Sequence, residues 1–221
     1  MPALKFPRLA LALVALMLAF PAVAQEPAAQ MNVAPVPETD PAVDFDTSYR
    51  PSPTVSSRLQ REFLDSVRWS AGVEARDNLA AAFAERSPVE IWHELVAGQG
   101  LEPNNVADAL TAYWVLNWIT ANGAYTAEID NAPIQRQLRV AFANDANFRT
   151  MGDQQRQQLA EGYIFNFLLE HAALNRAVAA RDLDALNRLA AASVTRFQRS
   201  MGVNLLALVP SAQGFGPRPR P

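Results

Sequence analysis

The chain has 221 residues, half of them hydrophobic, with 16 prolines, no cysteine and a formal net charge of -3. The lack of cysteine excludes disulfides, thiol nucleophiles, thiolate metal sites and a lipidated cysteine. The only lysine is Lys5, so beyond it neither Schiff-base nor lysine-base chemistry is possible, and the acidic balance disfavours nucleic acid and anionic lipid as partners.

In chain order, Lys5 and Arg8 precede an apolar run from Leu9 to Phe20, which Pro21 breaks before Ala22-Val23-Ala24. This is the three-part layout of a cleavable secretory signal over residues 1–24, with cleavage expected after Ala24. The run is about a dozen residues, short of the roughly 20 that a spanning helix needs. Loss of Lys5 and Arg8 would take the charge from -3 to -5. Periplasmic or secreted localisation follows as an expectation. Residues 25–54 carry Pro27, Pro35, Pro37, Pro41, Pro51 and Pro53 among small and acidic residues, which predicts a solvated, flexible arm.

The region 55–208 is predicted to be one all-α domain of six or seven helices. Residues 57–69 put Leu59, Phe63, Leu64 and Val67 on one face, opposite Arg58, Arg61, Asp65 and Arg68, the period of a surface helix. A short helix over Glu74–Ala84 follows. Ser87-Pro88-Val89-Glu90 has the cap, first-turn proline and third-position glutamate of a capping box, opening a helix that stops near Gly98. Residues 108–123, DALTAYWVLNWITANG, form a helix apolar on almost every side, ended by Asn122-Gly123. An amphipathic helix over Pro133–Ala143 comes next. A long helix starts at Asp153 and is again apolar around Tyr163 to Leu169, and Asp182 caps the last. The two all-round apolar helices are expected to form a central pair. Residues 209–221, ending FGPRPRP, are expected to be a disordered Pro/Arg tail. Both central helices are too short or too interrupted by polar residues to span a bilayer, so no transmembrane segment is predicted in the processed chain.

Candidate chemistry is sparse. The two histidines are His93 and His171. Glu90 and His93 have the Glu-x-x-His spacing of carboxylate-bridged metal bundles, but the second copy is missing because Glu170 and His171 are adjacent. Glu90 is better explained as a cap, and no metal or cofactor is predicted. Glu170 is the weak catalytic candidate: it shares a face with Leu159, Tyr163, Asn166, Phe167 and Leu174, where a carboxylate must be paired or have its pKa pushed up. It is either a general acid of a periplasmic hydrolase, with His171 or Asp108 nearby, or a structural tie to an arginine, to Asn117 or to a tyrosine hydroxyl. The structural role is favoured. Weak ligand-binding candidates are Asn117, Trp114, Trp118, Tyr163 and Asn166. The tryptophans 69, 92, 114 and 118 would line a pocket or, more ordinarily, pack in a core with each indole N–H seeking a partner such as Asn117. No Gly-x-Ser-x-Gly elbow, phosphate-binding glycine loop or His-Glu-x-x-His occurs.

The segments YRPSPTVSSR, residues 49–58, and GLEPNNVADALTAYWVLNWITANG, residues 100–123, resemble the landmarks of an uncharacterised family of exported bacterial all-helical proteins, a domain of unknown function. The resemblance implies a helical exported domain and brings no activity or site residues. The leading expectation is an exported, non-catalytic module that binds an envelope or secreted protein partner. The alternatives are the Glu170 hydrolase and a carrier of a small hydrophobic ligand between the tryptophan helix and the Tyr163 helix.

Overall fold

Helix α4, Val106–Asn122, has almost no exposed face, since twelve of the residues from Val106 to Trp118 are buried. Three of its polar side chains bond within the helix itself. Thr111 Oγ1, Asn117 Nδ2 and Thr120 Oγ1 each donate 2.8 Å bonds to the carbonyl four residues back, which lets polar groups lie in an apolar interior. The computed structural model describes residues 34–219; the expected signal segment, residues 25–33 of the arm and the last two residues lie outside them.

Among the described residues there are eight α-helices. Helices α1 (Pro53–Ala71) and α2 (Val73–Glu85) form a hairpin turned by Gly72 at φ 94°, a backbone conformation that favours glycine. Helix α3 (Pro88–Leu95) follows, opened by the expected capping box: Glu90 N donates to Ser87 Oγ while Ser87 N donates to Glu90 Oε2. After α4 come α5 (Ala132–Asn144), the short α6 (Ala146–Thr150), the 28-residue α7 (Asp153–Ala180) and α8 (Leu183–Met201). A hairpin, β1 (Leu208–Ser211) with β2 (Gly214–Pro217), ends the described chain. Helix α4 packs on α7 and α8, with α5 and the hairpin against its other sides. Helix α1 lies along α7, where Phe63 stacks on Phe165 at 4.6 Å between centroids. The architecture is the predicted all-α domain around a central pair. No helix of the described residues is long and apolar enough to cross a membrane.

Three segments differ from expectation. From Ala34 onward the proline-rich arm is packed: Val36 and Tyr49 are buried, and Val36 N donates to Gln213 O at 3.0 Å. Tyr49 N donates to Asn104 O and Val106 N to Thr47 O, both at 3.0 Å, so the arm is tied by backbone bonds to the start of α4. Helix α1 starts at Pro53, inside the expected arm, because proline at the first helical position is preset for the helix. The third is the tail. The Gly214-Phe215-Gly216 strand inserts Phe215, 1% exposed, against Trp114 and Trp118 at 5.6 and 5.9 Å. Its backbone is held by Gln137, which accepts from Phe215 N and donates to Phe215 O, both at 2.8 Å. A side chain at Gly214 would come within 2.3 Å of Gln137 Oε1. A proline-rich composition describes how these segments look to water, not which distant carboxamide satisfies them.

Phe215→Ala is expected to cost about 3–5 kcal/mol, the range for truncating a buried aromatic, and to expose Trp114 and Trp118. Urea unfolding followed by tryptophan fluorescence checks both the loss and the red shift.

Candidate functional site

The start of α1 is secured by a side chain more than a hundred residues away. Ser52, the N-cap residue, makes no side-chain capping bond. Instead Gln157 of α7 treats the Ser52 backbone as a strand would: Ser52 N donates to Gln157 Oε1 at 2.9 Å and Gln157 Nε2 donates to Ser52 O at 3.1 Å. The same Nε2 contacts Ser56 Oγ at 2.9 Å and Glu161 Oε1 at 2.7 Å. Ser56 Oγ donates to Glu161 Oε1 at 2.6 Å, the short distance of a hydroxyl bonded to an ionisable carboxyl.

Glu161 is therefore a buried carboxyl, 3% exposed, and among the described residues the hydrogen bonds it accepts both fall on Oε1. Among the described residues it takes part in no ion pair with an arginine. Burial pushes its pKa up, and the bonds from Ser56 and Gln157 offset this only in part. Nearby, the buried Tyr49 hydroxyl has no protein partner; burial and then the Glu161 charge raise its pKa.

Ser56 and Glu161 border a cavity of about 190 Å³ between α1, α3, α7 and the loop before α4. Pro51 and Ser87 form an exposed rim, Ser56, Gln60, Val89 and Asn104 the half-buried walls, and Pro88, Glu161 and Phe165 the buried floor. At roughly 30 Å³ per water it holds about six waters, or a molecule of about benzene's size. It is smaller than the sites of drug-sized ligands. No histidine lines the cavity, Ser56 Oγ is engaged by both Glu161 and Gln157, and His171 stands ten residues along α7, about 15 Å of helical rise away.

Residues 10–207 match the model of a family of unknown function, DUF6683. The chain belongs to this family. No curated protein matches it, and no solved structure does. In this member of the family, the two segments singled out in the sequence meet at the cavity, Pro51 and Ser56 coming from the first and Asn104 from the second, and Tyr49 N donates to Asn104 O beside it.

The residues expected to form a site lie elsewhere. Glu170 forms an ion pair with Arg196 of α8, and its Oε1 also accepts from the Tyr113 hydroxyl at 3.3 Å. Arg196 Nη1 reaches Asn117 Oδ1 at 3.1 Å. Glu170, Tyr113, Asn117 and Arg196 thus tie α7, α4 and α8 together, with Glu170 Oε2 left without a protein partner. Asn117 meets Arg196 rather than an indole; Trp118 Nε1 donates to Leu208 O at 3.0 Å, and Trp114 Nε1 and Trp92 Nε1 have no protein partner. Trp114 is covered by Phe197 and Phe215, and Tyr163 stacks on Tyr113 at 5.9 Å. Asn166 bonds back to Gly162 O at 2.9 Å. Burial lowers the pKa of His171 to about 4, and it stacks on Phe167. Asp108 is engaged by Glu102 N and Gln135 Nε2, both at 3.0 Å, with Arg139 at 3.6 Å. Sequence reasoning missed Glu161, although the wheel applied to Glu170 places it with Gln157, Ile164, Phe165 and Leu168, an otherwise largely apolar face.

A carboxyl whose pKa is raised on folding favours the folded state most below its unfolded pKa, and this contribution fades as pH rises through the folded value. Glu161→Gln keeps a neutral group in place and is expected to melt at or above the native chain at pH 7. The difference should close on acidification towards pH 4, near the ordinary glutamate range. Each tenfold rise in proton affinity removed is worth about 1.4 kcal/mol, or roughly 3 °C for a chain of this size. Paired melting curves from pH 4 to 8 check it.

Proposed function

We propose that this chain is an exported, non-catalytic helical module that binds a secreted or envelope component, and that the cavity between α1, α3 and α7 receives the recognised group. The observation that carries the reading is Glu161. A buried carboxyl with a free oxygen, no cation and uncharged supporting groups is costly to maintain. Such a group on a cavity floor fits a recognition role.

Export is supported by the basic, apolar and Ala-x-Ala order of the first 24 residues. A binding role is supported by the rigid setting. Ser56, Gln157 and Glu161 sit on helices and fix one another, the preorganisation that lowers the cost of binding. A site for one small group matches the cavity's size, whether that group belongs to a free molecule or projects from a partner.

The processed chain, expected to begin at Gln25, is screened by amide-resolved NMR against small cations, anions and neutral polyols. The reading expects at least one class to shift the amides of Ser56, Val89 and Glu161 together, and Val89→Trp, which fills the cavity, to abolish that response. If no class moves these amides, the reading fails.

A further inference from the structure

Electrostatics and size together narrow what the cavity accepts. Its floor carries the Glu161 carboxyl, and a second carboxylate stands just beyond the rim, since Glu90 Oε2 accepts from both Ser87 N and Ser87 Oγ at 2.8 Å. Those two bonds hold Glu90 below the usual carboxylate range and so keep it charged.

Among the described residues, the surrounding elements supply no balancing cation to Glu161. On α1, Arg58 pairs with Glu62; beside α3, Arg86 is held by Glu94. On α7, Arg156 donates to the carbonyls of Asp46 and Ser48 and lies over the Phe148 ring. On α4, Asp108 faces Gln135 and Arg139, and on the approach to α1 the titratable neighbour is Tyr49. Arg50 and Arg61 are exposed and form no ion pair with Glu161. The chain cannot supply an ammonium group here from its own described residues, because Lys5 is its only lysine.

We infer that the cavity is a receptor for a primary ammonium group on a short alkyl stem, paired with Glu161 Oε2 on the floor beside Phe165. This rests on the binding role proposed above and assigns its ligand class. An ammonium group brings three donors. The free Glu161 oxygen and the side-chain oxygens of Gln60 and Asn104 are acceptors of matching kind around the cavity. The stem meets Pro51, Pro88, Val89 and Phe165, the apolar lining that a methylene chain requires. Butylammonium, with five heavy atoms, is within the benzene-sized limit of the space. The charge exchange balances: below the Glu161 pKa the incoming cation displaces the carboxyl proton to solvent, and above it the pair forms without proton release. Affinity therefore rises with pH through the Glu161 titration and then levels. The same ammonium chemistry is carried by a free small amine or by a lysine side chain of a partner protein.

The test uses the full processed chain and three ligands of like size, butylammonium, 1-butanol and butyrate, followed by calorimetry and amide NMR from pH 5 to 8. Butylammonium is expected to bind at least tenfold more tightly than the other two and to shift Ser56, Val89 and Glu161. Glu161→Gln should lose at least tenfold in affinity while melting no lower at pH 7. Ser56→Ala removes a bond that lowers the Glu161 pKa, so it should move the pH midpoint of binding upward; this holds the inference to account even if the first variant is impaired. A blocked lysyl tripeptide distinguishes the sources: tighter binding than butylammonium assigns a partner's side chain, and weaker binding a free amine. If butanol or butyrate binds as well as butylammonium, or if Glu161→Gln retains full affinity, the ammonium assignment is overturned while the cavity stands as a binding site. If nothing binds, both fall.

Discussion

The carboxamide of Gln157 is the contact on which the arrangement around the cavity depends. It holds the backbone of Ser52, the N-cap residue of α1, anchors the preceding proline segment to α7, and fixes both Ser56 and Glu161. One side chain thereby couples the backbone at the start of a helix to the protonation of a buried acid. Because Ser52 and Gln157 are 105 residues apart, closing this contact also closes most of the domain. The constraint is reciprocal: the segment from Ala34 to Ser52 can lie against α4 and α7 only if its polar backbone finds such partners.

Two carboxyls of α7, the buried Glu161 and the half-buried Glu170, show how environment divides like residues. Glu170 meets Arg196 and becomes part of a three-helix tie with Tyr113 and Asn117. Glu161, nine residues earlier, meets only hydroxyl and amide groups and borders space rather than a guanidinium. The first arrangement stabilises an assembled fold and is weak ground for inferring chemistry. The second leaves a carboxyl that no arginine of the described residues balances.

What could be read from the sequence follows the range of the interactions involved. The capping box at Ser87 and Glu90, the Asp182 cap and the glycine end of α4 are local, and they are found where their spacing places them. The all-round apolar character of α4 correctly marked it as central. The packed arm and the hairpin were not legible, because their bonds run from Gln157 to Ser52 and from Gln137 to Phe215, and no local period encodes a carboxamide acting as a strand. The short α6, capped by Asp145, fell below the length at which periodicity carries a signal. Glu170 stands out in the sequence because it shares a largely apolar face with Leu159, Tyr163, Asn166, Phe167 and Leu174. The same wheel turned back by nine residues marks Glu161, and only the absence of a cation around it, a tertiary fact, distinguishes the two.

The most direct test is a titration of the Glu161 side-chain carboxyl carbon by NMR, in the free chain and with saturating butylammonium. The account predicts a midpoint above the ordinary glutamate range in the free protein, and a downward move when the ammonium enters. An ordinary midpoint, or one that saturating ammonium leaves in place, would contradict it.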